Sequence, residues 1–160
     1  MNVTIRQAGA DDAELLAGIV RDSFRTVAER FGLTPENCPR HPSNCTAGWI
    51  AEAFERGVNY YVLECDGHPC GCVALEEADD AGHLGRLAVL PAFRGRGFGR
   101  ALVEHVVERT RALGLKRVEL GVIAEDEGLR RWYEGLGFRD GERRRFEHLP
   151  FEVLFMSRGL

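Results

Sequence analysis

The chain has 160 residues, the size of one domain, and with 44% of them apolar it can close a core; a disordered tail, a fibrous repeat and a two-domain enzyme are disfavoured. Twenty-one basic residues against 25 acidic ones give a formal charge of −4, which argues against a broad basic face for nucleic acid, so any anion site has to be local. No run approaches the roughly 20 apolar residues of a membrane span, and the opening Met1-Asn2-Val3-Thr4-Ile5-Arg6 has no apolar leader core, so the cytoplasm is the expected compartment, with no membrane or nucleic-acid partner.

Val3 to Gln7 alternates as a strand, and Gly9-Ala10-Asp11-Asp12 supplies a turn and a candidate helix cap. Leu15, Leu16, Ile19, Val20, Phe24, Val27 and Phe31 recur at three- and four-residue steps, which predicts a helix from about Ala13 to Phe31. Prolines at 35, 39 and 42 make the next segment a loop, and Thr46 is placed to cap a second helix that ends before Gly57. Val58 to Glu64 and Pro69 to Leu75 read as a hairpin about Asp66-Gly67, followed by an acidic turn from Glu76 to Asp80. His83 to Leu90 is another strand. Gly95, Gly97 and Gly99 lead into a helix whose inner face carries Leu102, Val103, Val106, Val107 and Leu113, with Gly114 past its end. Arg117 to Val122 reads as a strand, Glu127 to Glu134 as a short helix and Phe151 to Met156 as a terminal strand, while Arg143-Arg144-Arg145 reads as a solvated charged run and His148 as a candidate substrate contact. The whole of residues 1–160 is expected to form one domain.

Five cysteines make an odd number in a chain large enough to fold without covalent staples, so Cys65, Cys70 and Cys72 read as small buried thiols. Cys38, His41 and Cys45 have spacings that zinc tolerates, but three ligands without a second pair leave a pocket-rimming loop as the better reading, and no metal is assigned.

The most informative stretch runs from Leu87 to Arg100. It joins a strand to a helix start, where glycines let successive N–H groups face a ligand and the helix dipole adds partial positive charge. Arg94, Arg96 and Arg100 add permanent charge. No Gly-Lys-Ser/Thr follows, which excludes a P-loop, and the third glycine of a dinucleotide fingerprint falls on Arg100. What stands here is Arg/Gln-x-x-Gly-x-Gly/Ala, at Arg94, Gly97 and Gly99.

This motif resembles the pyrophosphate-binding turn of the GCN5-related N-acetyltransferase (GNAT) superfamily, and Tyr133-Glu134-Gly135-Leu136-Gly137-Phe138 resembles that family's Tyr-Glu-x-Leu-Gly-Phe segment. The resemblance covers nearly the whole chain. It implies an α/β (α+β) fold with a mixed, mostly antiparallel sheet of six to seven strands and about four helices. It further implies transfer of an acetyl group from acetyl-CoA, the acyl-donor cosubstrate, to a primary amine of a small molecule or protein by direct attack in a ternary complex. By the same resemblance the cofactor-binding residues are Leu87, Ala88, Val89, Arg94, Gly95, Arg96, Gly97, Phe98, Gly99 and Arg100. Asp126 also counts as a cofactor contact, although it stands where family members often carry Asn. Tyr133 counts both as a cofactor contact and as the general acid beside the thiol, and Glu76, Glu77 and His83 are candidate bases. Family habit allows a homodimer, and the acidic balance favours a cationic acceptor. A noncatalytic acyl-CoA-binding module and a dinucleotide-binding oxidoreductase stand as alternatives.

Overall fold

Period-two alternation divides the apolar residues of the central strands between two faces, and each face receives its own helices. The computed structural model describes residues 2–160. Its elements run β1 (Val3–Gln7), α1 (Ala13–Phe31), α2 (Ala47–Glu55), β2 (Asn59–Cys65), β3 (His68–Ala78), β4 (Ala81–Val89), α3 (Phe98–Ala112), β5 (Arg117–Ile123), α4 (Glu127–Gly135), β6 (Arg139–Arg145) and β7 (Glu152–Gly159). One seven-stranded sheet has the order β1-β2-β3-β4-β5-β7-β6. On one face Leu16, Ile19, Val20 and Ile50 of α1 and α2 pack on Tyr60, Val62, Cys72 and Ala74. On the other, Leu102, Val103, Val106 and Val107 of α3 pack with Phe138 on Leu63, Val73, Leu75, Val118 and Leu154. The mixed, mostly antiparallel sheet with four helices agrees with the predicted architecture.

Local chemistry sets the turns. Asp66 and Gly67 take φ of 51° and 82°, the doubly positive pair of a tight hairpin. Gly32 and Gly114 end α1 and α3 in the left-handed region. Thr46 caps α2 by accepting from Trp49 N–H at 3.3 Å.

Several boundaries differ from the sequence reading. Glu76 and Glu77 lie inside β3, not in a turn, and the reversal falls on Asp79-Asp80. The arginine run 143–145 belongs to an edge strand, β6, in which every residue is exposed. Leu113 is 44% exposed and does not face the core. All five cysteines are buried, and none is paired.

The sheet has one parallel pair, β4 with β5, and it is short: Ala81, Gly82 and His83 pair with Arg117, Val118 and Glu119, and the ladder stops. Beyond it the two strands separate, β4 staying with β3 and β5 with β7. The open parallel sheet that a dinucleotide-binding domain is built on is therefore missing among the described residues, which removes the structural support for the oxidoreductase alternative. Gly82 permits the close seat of α3 at this junction, since a Cβ there would lie 2.5 Å from Thr110 Oγ1.

Burial also gives the fold an acid sensitivity. His105 is held below its ordinary pKa by desolvation, then by nearby Arg109, and its ring stands 4.5 Å from that of Tyr61. Its Nε2 is buried and has no hydrogen-bond partner among the described residues. His41 is lowered by burial as well. For a base whose folded pKa is depressed, the unfolded chain binds the extra proton, so stability is unaffected above about pH 6.5 and falls as pH drops below that value. Thermal unfolding at pH 7.5, 6.0 and 5.0 is expected to show a falling Tm, and His105→Phe should flatten part of that fall.

Candidate active site

Where β4 and β5 part, a cleft of about 890 Å³ opens, walled by Leu84 to Val89 on one side and Leu120 to Ile123 on the other. Ser23, Phe24 and Val27 of α1, Trp132 and Tyr133 of α4, and Phe146 and Phe151 of the β6–β7 connection complete it. A parallel pair cannot keep its ladder once the strands diverge, so the facing backbone edges of β4 and β5 are left free for a ligand.

At one end lies the glycine turn. Gly95 and Gly97 have φ of 79° and 82°, with no atom within 4 Å of where a Cβ would stand. That conformation is what glycine supplies. Among the described residues no backbone carbonyl accepts from any amide between Gly95 and Arg100, and the first helical bond of α3 runs from Ala101 N–H to Gly97 O at 3.1 Å. Six successive free N–H groups at the positive end of a 15-residue helix form a ready anion cradle. Gly99 lies beneath Trp132, where a Cβ would come within 3.3 Å of the indole.

Arg94 lines the cleft, and its side chain also has a structural task. Its guanidinium donates to Val89 O at 3.1 Å, Thr26 Oγ1 at 3.2 Å and Ser23 O at 2.8 Å, so it fastens the glycine turn to α1. Arg100 lines the cleft. Arg96 does not; its guanidinium lies 5.5 Å from the Phe93 ring centroid, at the rim. Asp126 is 5% exposed, and its Oδ1 accepts from Leu129 N–H at 3.2 Å and from Arg30 at 3.1 Å. It caps α4 and ties that helix to α1, which accounts for a carboxylate where an amide was the pattern.

Tyr133 is 4% exposed and stands edge-on to Trp132 and Phe138 at 5.0 and 5.5 Å. Its hydroxyl makes no hydrogen bond among the described residues, and burial pushes its pKa well above the ordinary value near 10. The phenol therefore stays protonated at any working pH, with its proton uncommitted.

Glu76 and His83 are cross-strand partners on β3 and β4, and both line the cleft. Glu76 is half-exposed, and its carboxylate reaches Arg56 Nε at 3.9 Å. Glu77, one residue on, points to the opposite face, is exposed, and lines no part of the cleft. Strand alternation thus takes Glu77 out of the candidate bases. His148 is exposed on the β6–β7 connection, which presents Phe146 and Phe151 instead. From the proline-rich loop His41 and Pro42 reach the cleft, as a rim reading expects, and His41 Nδ1 lies 2.7 Å from Ser43 Oγ. No three His, Cys, Asp or Glu side chains converge to hold a metal among the described residues.

The sequence reading missed Arg86. It has φ of 46°, rare for a residue with a side chain, and it sits where the β3–β4 register slips: Ala74 pairs with Gly85 and Cys72 with Ala88, leaving Arg86 and Leu87 opposite Val73 alone. No local signal marks such a bulge.

Comparison with known proteins agrees with this geometry. The model of the acetyltransferase (GNAT) family matches residues 23–138, from the cleft wall of α1 to the end of the second motif. An uncharacterized N-acetyltransferase of Methanocaldococcus jannaschii is 34% identical over 101 residues, 59% of this chain and 44% of that protein. An amino-acid acetyltransferase of Neisseria meningitidis is 29% identical over 141 residues, 86% of this chain. The match spans less than half of either relative, 44% of the first and 27% of the second. Among solved structures, the PaiA N-acetyltransferase of Thermoplasma acidophilum in complex with coenzyme A superposes with a TM-score of 0.83 over 100% of both chains at 16% identity, a likeness of fold.

Proposed function

The chain belongs to the acetyltransferase (GNAT) family, and from that premise we propose that it transfers an acetyl group from acetyl-CoA to a primary amine of a small molecule or protein, by direct attack with donor and acceptor bound together. The observation that carries this reading is the run of free amides from Gly95 to Arg100 at the mouth of a cleft made by diverging strands. The donor set fits the group: a pyrophosphate needs several N–H donors and positive charge without bulk, and Gly95, Gly97 and Gly99 with Arg100 supply them. Acetyl-CoA supplies an activated thioester when bound there.

The chain's residues then divide the work. Leu87 and Val89 offer backbone groups on the unpaired edge of β4 to the pantetheine and the acyl oxygen; Val89 O already accepts from Arg94, which leaves its N–H and the groups of Leu87 for that task. Ala88 is buried and keeps the strand seated on α1. Glu76 and His83 take the amine's proton, directly or through water, as the new C–N bond forms. The C–S bond breaks, and Tyr133 protonates the departing sulfur, so the amine has lost one proton and the thiol has gained one. Holding both reactants in one cleft replaces a bimolecular encounter with an oriented one.

Calorimetry with acetyl-CoA, CoA and NAD, followed by a free-thiol assay over amine classes, tests the proposal. The expected result is binding of both CoA species, no heat with NAD and thiol release with some amines. Binding without release from any amine would leave the noncatalytic module standing, and no binding at all would defeat the proposal.

A further inference from the structure

The walls of the cleft carry Arg56, Arg86, Arg94 and Arg100 against Glu76 and Asp126, a local excess of positive charge in a chain of net charge −4. Three of the four arginines are accounted for. Arg94 is committed to Val89 O, Ser23 O and Thr26, Arg56 pairs with Glu76, and Arg100 stands at the glycine turn. Arg86 is not. It is half-buried, makes no ion pair with any described residue, and donates one hydrogen bond, to Tyr60 Oη at 2.9 Å. A guanidinium has five N–H donors, so most of its capacity remains free inside a partly desolvated pocket. Arg21 and Arg40 also lack an acidic partner; Arg40 lies 4.2 Å over the Trp49 ring and Arg86 5.8 Å from it, while Arg21 donates to Cys45 O at 2.9 Å. Arg21 and Arg40 thus add positive charge behind Arg86, and Tyr60, fully buried, is the post that holds the fork in place.

Backbone geometry adds an independent argument. Arg86 occupies the left-handed region at a bulge, a conformation that a residue with a Cβ keeps only where its surroundings over-determine it. Glycine would relieve that strain. An arginine held there, unpaired and facing the cleft one residue before Leu87, is a side chain kept for an anion.

We propose that Arg86 is the acceptor-binding residue of this cleft and that the acceptor is a small amine carrying a carboxylate, held by the guanidinium fork while its amino group meets the acyl donor beside Leu87. This rests on the acetyltransferase reading and narrows its substrate; it also reverses the expectation of a cationic acceptor drawn from overall charge. A polyamine gains nothing from Arg86.

The test is a free-thiol assay with the twenty amino acids, their carboxamides and a set of polyamines, alongside acetyl-CoA calorimetry on the same protein. The expected result is turnover confined to carboxylate-bearing amines, with roughly a hundredfold or greater preference over the matching amide. Arg86→Gly, in which relief of the positive φ offsets the lost hydrogen bond to Tyr60, should stay folded, keep its acetyl-CoA affinity, and raise KM for the carboxylate acceptor by about 30- to 1,000-fold with kcat far less affected. Arg86→Lys should recover part of that loss. Equal turnover of amides or polyamines, an unchanged KM in Arg86→Gly, or turnover of nothing in the panel would each overturn the proposal. The calorimetry shows whether the acyl-donor reading falls with it, because Arg86 lies outside the glycine turn.

Discussion

Gly97→Val is expected to abolish useful acetyl-CoA binding while leaving the protein folded. Gly97 caps α3 at φ of 82°, with open space around its missing Cβ, so the cost is conformational and not a clash. A β-branched residue there costs about 1–3 kcal/mol in place, which for a chain of this size is a Tm loss of roughly 3–10 °C. The alternative is a turn that swings to negative φ and redirects the amides of Gly97 and Phe98. Hydrogen bonds to a charged group contribute about 1.5–3 kcal/mol each, so losing two weakens binding by about 10²- to 10⁴-fold. Calorimetry reads the affinity, and circular dichroism and thermal unfolding read the fold. Full-strength binding by a folded Gly97→Val protein would mean that the amide cradle is not the phosphate site.

The features visible in the sequence are those whose chemistry is local. Glycines that require positive φ, the Asp66-Gly67 hairpin, the apolar stripes of α1 and α3 and the β-rich runs each carry their signal within a few residues, and they place the turn, the helices and six of the seven strands. β6 left no such trace, because a strand exposed on both faces at the sheet edge has no alternation to read. Glu77 was misread because its parity depends on how far β3 extends: once the strand continues to Ala78, neighbouring glutamates must face opposite ways. Arg94 and Asp126 do line the cleft, but the ties to α1 that hold them there reach 68 to 96 positions along the chain, beyond any local signal. Arg86 required the register of two strands, since a bulge is a mismatch between them and belongs to neither alone. Overall charge is silent in the same way, for a net −4 says nothing of which side chains line one cleft.

Tyr133→Phe is expected to separate catalysis from binding. The phenol is almost wholly enclosed, its hydroxyl has no partner among the described residues, and its ring packs on Trp132 and Phe138. Removing an unpaired hydroxyl from such a place leaves stability unchanged or slightly higher, so any loss of activity is not a loss of fold. Acetyl-CoA affinity should hold within about twofold, since the phosphate cradle is untouched. A general acid typically contributes 10²- to 10⁴-fold, and kcat should fall within that range. The pH profile gives a second reading. Because burial raises the Tyr133 pKa above its ordinary value, the protonated form persists through the alkaline range, and the wild-type rate should climb as the amine loses its proton with no descending limb below about pH 10. In Tyr133→Phe the ascending limb should remain at the same pH while the plateau drops, because the base and the amine are unchanged. An undiminished kcat would assign protonation of the sulfur to water and reduce Tyr133 to a packing residue. A lowered kcat accompanied by a shifted ascending limb would mean instead that Tyr133 acts on the amine's side of the reaction, where Glu76 and His83 stand.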